Sequence, residues 1–174
     1  MKLPFLAATL FLASPALAEV KSATSAGFEV VHTATIAASP ADIFAALGRI
    51  GAWWSSDHSY SGDARNMTIE LRAGGCFCEA IPPQGGSVEH MRVVWASPGK
   101  ALRLRGGLGP LQGEGGDGAL TWTIEPAPGG AKVDQSYVFG GYVRGGAEKL
   151  APLVDKVLGE QLSRLNAYLE KSRN

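Results

Sequence analysis

Residues 148–171 read EKLAPLVDKVLGEQLSRLNAYLEK, and this stretch decides the fold. Leu150, Leu153, Val154, Val157, Leu158, Leu162, Leu165 and Leu169 recur at steps of three and four, which is one apolar stripe along a helix over Glu148 to Lys171. Between residues 67 and 144 the chain alternates instead in short runs separated by paired glycines such as Gly85-Gly86, Gly115-Gly116 and Gly129-Gly130, the pattern of hairpins. A sheet is therefore the partner available to the stripe. A long helix laid over a curved antiparallel sheet encloses a space, and function is expected there.

Working outward, Phe28 to Ala37 suits a first strand. Ser39 then offers a cap, Pro40 fits a first helical position and Asp42 a first turn, so a short helix with Ile43, Phe44 and Leu47 inward follows. Gly48 and Gly51 break it, Trp53-Trp54 end a second short helix, and the polar residues 55–66 form a loop. Six more strands are expected near Met67 to Leu71, Gly75 to Ile81, Ser87 to Ala96, Ala101 to Gly106, Ala119 to Glu125 and Lys132 to Phe139. Their parity is plain where Leu120, Trp122 and Ile124 oppose Thr121, Thr123 and Glu125: one dry face, one wet.

Lys2, the apolar run Leu3 to Ala13 and Ala16-Leu17-Ala18 describe a secretory signal peptide over residues 1–18, leaving residues 19–174 as a single exported domain, periplasmic or secreted. That run is too short for a permanent bilayer span, and no other segment is apolar enough. Sixteen basic and sixteen acidic residues balance, with no basic stripe, so a nucleic-acid partner is not expected. No reading of oligomeric state follows.

The order of strand, two short helices, six strands and long helix resembles the START-like superfamily, also called SRPBCC. The resemblance is carried by Ser39-Pro40-Ala41-Asp42-Ile43-Phe44, Trp53-Trp54, Gly74-Gly75-Cys76-Phe77-Cys78-Glu79, the corner Ser97-Pro98-Gly99-Lys100-Ala101-Leu102, and the final helix. The runs Trp53 to His58 and Leu102 to Leu111 are similar to a bacterial polyketide-cyclase-like subgroup. The resemblance implies an α+β helix-grip fold, a seven-stranded curved antiparallel sheet wrapped around the C-terminal helix. It also implies a cavity for a lipid-, steroid- or polyketide-like ligand. Because the superfamily contains both carriers and enzymes, fold alone does not choose between them. Non-catalytic binding without a cofactor is the expectation, with a cyclase- or hydrolase-type enzyme or a Cys/His metal protein as alternatives.

Expected cavity residues are Trp53, Trp54, Phe77, Leu104, Trp122, Gln135, Tyr137, Phe139, Leu153, Val157 and Leu158. Singly, each large apolar side chain is more often plain core; the group gains weight from the resemblance. Gly159, in mid-helix, fits a site of close approach. No catalytic residue is assigned: His58 beside Asp57, His90, and Glu79 on the parity of Phe77 are the candidates for acid-base work, against a solvated loop and a surface ion pair. Cys76 and Cys78 raise a further question. Two residues apart in a regular strand place Cα atoms at the edge of disulfide reach, so a bridge needs a bulge, and two packed free thiols are expected. A turn at Pro82 to Gly86 sets Cys76 opposite Arg92 and Cys78 opposite His90. Cys76, Cys78, His90 and His58 could then hold zinc, but without zinc-type spacing no metal is expected.

Overall fold

The structure of the protein, a computed structural model, describes residues 17–82 and 85–172. The expected leader therefore falls, except for Leu17 and Ala18, outside the described residues. Eight strands make one antiparallel sheet: β1 (Leu17–Thr24), β2 (Gly27–Ile36), β3 (Met67–Ile69), β4 (Cys76–Ile81), β5 (Gly86–Ser97), β6 (Ala101–Arg105), β7 (Gly115–Ala127) and β8 (Gly130–Tyr142). Their order across the sheet is β1-β2-β8-β7-β6-β5-β4-β3. Helix α1 (Pro40–Gly48) follows β2, and the long helix α2 (Ala151–Lys171) closes the chain. The fold is thus the α+β helix-grip arrangement.

The sequence reading expects seven strands, and the eighth is β1. It hides because Lys21 to Ser25 show no apolar alternation. As an edge strand β1 needs little of it, since its ladder with β2 (Val20↔Val30, Ala23↔Phe28) supplies the pairing. The second short helix expected before Trp53 is a single 3-10 turn, Ile50–Ala52. Strands β7 and β8 run past their expected ends because their glycines still pair, Gly115 with Tyr142 and Ala127 with Gly130.

Local chemistry explains the helix ends. The Ser39 hydroxyl accepts from Asp42 N at 3.2 Å and donates to the Asp42 carboxylate at 2.6 Å, with Pro40 opening α1. Helix α2 begins at Ala151 rather than Glu148, after a 3-10 turn at Ala147–Lys149. Pro152 has no amide to donate and is tolerated only in a first turn, so the α-helical ladder cannot extend far upstream of it.

The α2 stripe divides along its length. Leu158, Leu162, Leu165 and Leu169 are buried, as are Gln161 and Ala151, where the helix packs against β2 and β1. Toward its N-terminus the same stripe is open: Leu153 is 61% exposed, and Val154 and Val157 are half-buried.

Gly159 marks the closest approach of helix to sheet. A Cβ there would lie 2.9 Å from Cε1 and 3.0 Å from Nδ1 of His32 on β2, a ring that is only 1% exposed. Helix propensity favours Ala over Gly by about 1 kcal/mol, but overpacking a filled core costs about 1–3 kcal/mol. Gly159→Ala should therefore lower stability in urea denaturation. In a His32→Ala background, where the ring is gone, the same substitution should raise it.

Candidate functional site

Where the sheet leaves the N-terminal half of α2 uncovered, a cleft of about 440 Å³ opens, within the size range of small-molecule sites. Leu150, Leu153, Val154, Val157 and Leu158 form its helical wall. Met67, Phe77 and His90, from β3, β4 and β5, form the sheet wall. Trp54 and residues 57–60 close one side, and residues 108–111 make the rim. Asp57 is the one acidic side chain on this wall, and no Lys or Arg lines it among the described residues.

Each wall is held by identifiable bonds. Helix α2 grips the segment beside Trp54 twice: Ser55 N donates to Gln161 Oε1 at 2.8 Å, and Arg164 Nε donates to Trp53 O at 2.8 Å. Trp54 Nε1 donates to His58 O at 2.9 Å, which curls the loop back on the indole. The rim is braced from the core by Tyr137, whose hydroxyl donates to Gly106 O at 3.0 Å and accepts from Leu108 N at 3.3 Å. Gly118 on β7 leaves room for that tyrosine, since a Cβ there would overlap its ring. Burial pushes the Tyr137 hydroxyl far up, so it stays a neutral donor. Tyr60 joins loop to rim, its hydroxyl donating to Gly109 O at 3.0 Å.

His90 reaches the cleft through a bulge. Pairing between β4 and β5 runs Cys76↔Arg92, Phe77↔Met91, then Cys78↔Glu89, so His90 is the extra residue. In a regular strand His90 and Met91 would face opposite ways; here both are buried. The His90 ring lies between Phe77 and Tyr60, with centroids 4.7 and 5.8 Å away. Its Nε2 is 2.9 Å from Glu79 Oε2, and no other hydrogen bond to the ring is present among the described residues.

Glu79, 1% exposed, also accepts from Tyr60 N at 3.1 Å and Ser61 N at 2.5 Å. Burial alone would push its carboxyl up, but the donors from Ser61, Tyr60 and His90 outweigh burial and hold it below its ordinary value. Burial lowers His90, against the pull of Glu79 in the other direction. The pair is thus a carboxylate and a neutral imidazole: Nε2 carries the proton toward Glu79, and Nδ1 is left a bare acceptor.

Of the expected cavity residues, Trp54, Phe77, Leu153, Val157 and Leu158 meet on this cleft, as do the acid-base candidates His58 and His90. Glu79 stands directly behind His90. Trp53, Leu104, Trp122, Gln135, Tyr137 and Phe139 are not on its wall but in the closed core. Trp53 Nε1 is spent on Ala46 O at 2.8 Å. In the amide orientation that satisfies both partners, Gln135 accepts from Trp122 Nε1 at 3.1 Å and donates to Leu158 O at 2.9 Å. Parity put these side chains on the correct face, but parity cannot say how far along the helix the sheet's cover extends. Residues 108–111 were missed for want of any periodic signal; Met67, though on an expected strand, was not among the expected cavity residues.

The cysteines require a correction. Cys76 and Cys78 form a disulfide, with Cα atoms 5.3 Å apart, and the expected free thiols are absent. The ladder irregularity at Phe77/Cys78 lies beside the bridge, with the extra residue, His90, in β5. The same slip sets Cys78 opposite Glu89 rather than His90. With both sulfurs bonded, His90 turned to Glu79, and His58 Nε2 3.3 Å from Glu160, the four residues do not assemble a zinc set.

The match to known proteins agrees with this architecture. Residues 27–170 match the model of the family described as polyketide cyclase / dehydrase and lipid transport. The chain belongs to that family. No curated protein matches the sequence. Among solved structures, a protein from Mesorhizobium loti is similar over 82% of this chain and 97% of its own, at 16% identity and a TM-score of 0.58. One from Rhizobium leguminosarum covers 91% and 99% at 19% identity and 0.56. Another from Rhodobacter sphaeroides covers 89% and 99% at 19% identity and 0.55. At such identities the likeness is one of fold.

His32 and His90 are both buried and both held below the ordinary value of 6.5, chiefly by desolvation. Below about pH 6.5 the unfolded chain takes up protons that the folded chain does not, so stability should fall as pH drops. Urea midpoints at pH 7.5 and 5.5 should show this fall, and it should be smaller in His90→Gln.

Proposed function

We propose that the protein binds a hydrophobic small molecule, lipid-, steroid- or polyketide-like, in the cleft between α2 and the β3–β5 end of the sheet, as a carrier and not as a catalyst. The observation that carries this reading is the half-covered stripe: Leu153, Val154 and Val157 continue the apolar face of α2 beyond the sheet and border a cleft with few polar groups. Soluble domains rarely expose such a surface without use for it. Covering it would contribute about 25 cal/mol per Å² of apolar area removed from water. The family description, which names lipid transport beside cyclase and dehydrase activity, supports the same class of ligand.

Export to the periplasm or the exterior is part of the proposal. It rests on the N-terminal pattern and on the Cys76–Cys78 disulfide, which persists in oxidising compartments. Cleavage after Ala18 would still leave Glu19 to Thr24 to pair with β2. Among the described residues no helix is long and apolar enough to cross a membrane. The intact mass of the protein from the source cells should correspond to a chain starting at Glu19.

A second reading, a cyclase- or hydrolase-type enzyme, draws on the Glu79–His90 pair, since a carboxylate-oriented imidazole is a general base. Turnover of a bound ligand that disappears in His90→Gln would favour it.

Native mass spectrometry of the protein from its own cells should show an organic adduct of a few hundred daltons, released on denaturation. A bare protein counts against the reading. Filling the cleft with Val154→Trp should remove the adduct and leave the thermal midpoint nearly unchanged. Leu165→Ala, deep in the covered half of the stripe, should cost about 2–5 kcal/mol of stability and leave binding by the folded protein intact.

A further inference from the structure

The cleft has an unusual polar inventory for a site that takes amphiphiles. It has no cation: no Lys or Arg lines it among the described residues, and its one charged side chain is the acid Asp57. His58 presents Nε2 to Glu160, which adds a second carboxylate beside the mouth. The Ser59 hydroxyl donates to Ser56 O at 2.8 Å, and the Tyr60 hydroxyl to Gly109 O. Behind the sheet wall stands the buried carboxylate of Glu79. An anionic headgroup entering here would lose water and find no Lys or Arg on the wall to pair with, among the described residues.

His90 offers the opposite preference. Glu79 holds Nε2, Phe77 and Tyr60 flank the ring, and Nδ1 has no partner among the described residues. Burial favours the neutral ring, and a carboxylate can only accept, so in that ring the proton sits on Nε2 and Nδ1 can only accept. The ring is fixed, buried and part of the cleft wall. Such an acceptor is satisfied by a donor on the ligand, and a ligand without one leaves it unpaired.

We propose that the cleft is specific for neutral amphiphiles bearing a hydroxyl, which donates to Nδ1 of His90, and that it rejects carboxylate- and phosphate-headed lipids. Glu79 is then a positioning residue: it sets the tautomer and the orientation that make His90 an acceptor. The inference rests on the hydrophobic-ligand reading and narrows it to one chemical class.

The test uses three probes with the same tail, 1-decanol, decyl methyl ether and decanoate, titrated into the protein at pH 7.5. Tryptophan fluorescence reports binding, since Trp54 is on the wall. Decanol should bind roughly three- to tenfold more tightly than the ether, the range for one hydrogen bond. It should exceed decanoate by about tenfold or more. In His90→Phe the decanol-to-ether ratio should fall to about one while the ether binds as before. Decanoate binding as tightly as decanol, or an ether equal to the alcohol in the unaltered protein, would overturn the inference and leave the hydrophobic-ligand reading standing. A decanol preference that survives in His90→Phe would remove His90 as the acceptor. If none of the three binds, the cleft reading fails and the inference fails with it. The ratios in the unaltered protein decide the headgroup class whether or not the variant folds.

Discussion

The apolar stripe of α2 is longer than the surface that covers it, and the rest of the molecule is arranged around that mismatch. Leu158, Leu162, Leu165 and Leu169 are buried. At about 1.5–3 kcal/mol per buried side chain, they are enough to clamp the helix across β1 and β2. Gly159 and His32 set how closely it lies, and Gln135 ties Leu158 to the core indole of Trp122. Upstream of Leu158 the sheet recedes from the helix. What fills the gap is the 53–60 segment, held by Gln161 and Arg164, and the rim at 108–111, held by Tyr137. Both walls leave the helix face partly open.

Within that frame the polar organisation depends on Glu79. A buried carboxylate is costly unless its oxygens are satisfied, and this one accepts from two backbone amides and one imidazole. In doing so it fixes the loop at Tyr60 and Ser61 and the orientation of His90 together. The bulge at His90 supplies the geometry, since without an extra residue in β5 the histidine would point away from Glu79. The disulfide between Cys76 and Cys78 lies on the other face of β4, and the same slip in the ladder accompanies it. One irregularity thus accounts for the inward histidine and the failure of the expected Cys78–His90 pairing.

Much of this is legible in the sequence. The period of α2, the parity of β6 and β7, the cap at Ser39 and the glycine pairs are local signals, and local signals survive folding when they agree with one another. They also explain why Glu79 could be read as inward, from its parity with Phe77. Strand β1 was not legible because an edge strand is stabilised by backbone pairing, which leaves no side-chain pattern. The rim at Leu108 to Leu111 was not legible because its place comes from a tyrosine almost thirty residues away in the chain.

The chain alone determined the α+β class, the apolar face of α2 and, away from the β5 bulge, which strand side chains face inward. These follow from periodicity, which is a property of neighbours in sequence. The tertiary structure alone decided which of those inward residues are core and which are wall: Trp122 and Tyr137 closed in, Val154 and Val157 left at the cleft. It also decided that His90 meets Glu79 and that the cysteines join. Those outcomes depend on where the sheet ends beneath the helix and on a single-residue slip in register. A slip of one residue reverses which face a side chain occupies, and no local pattern records it.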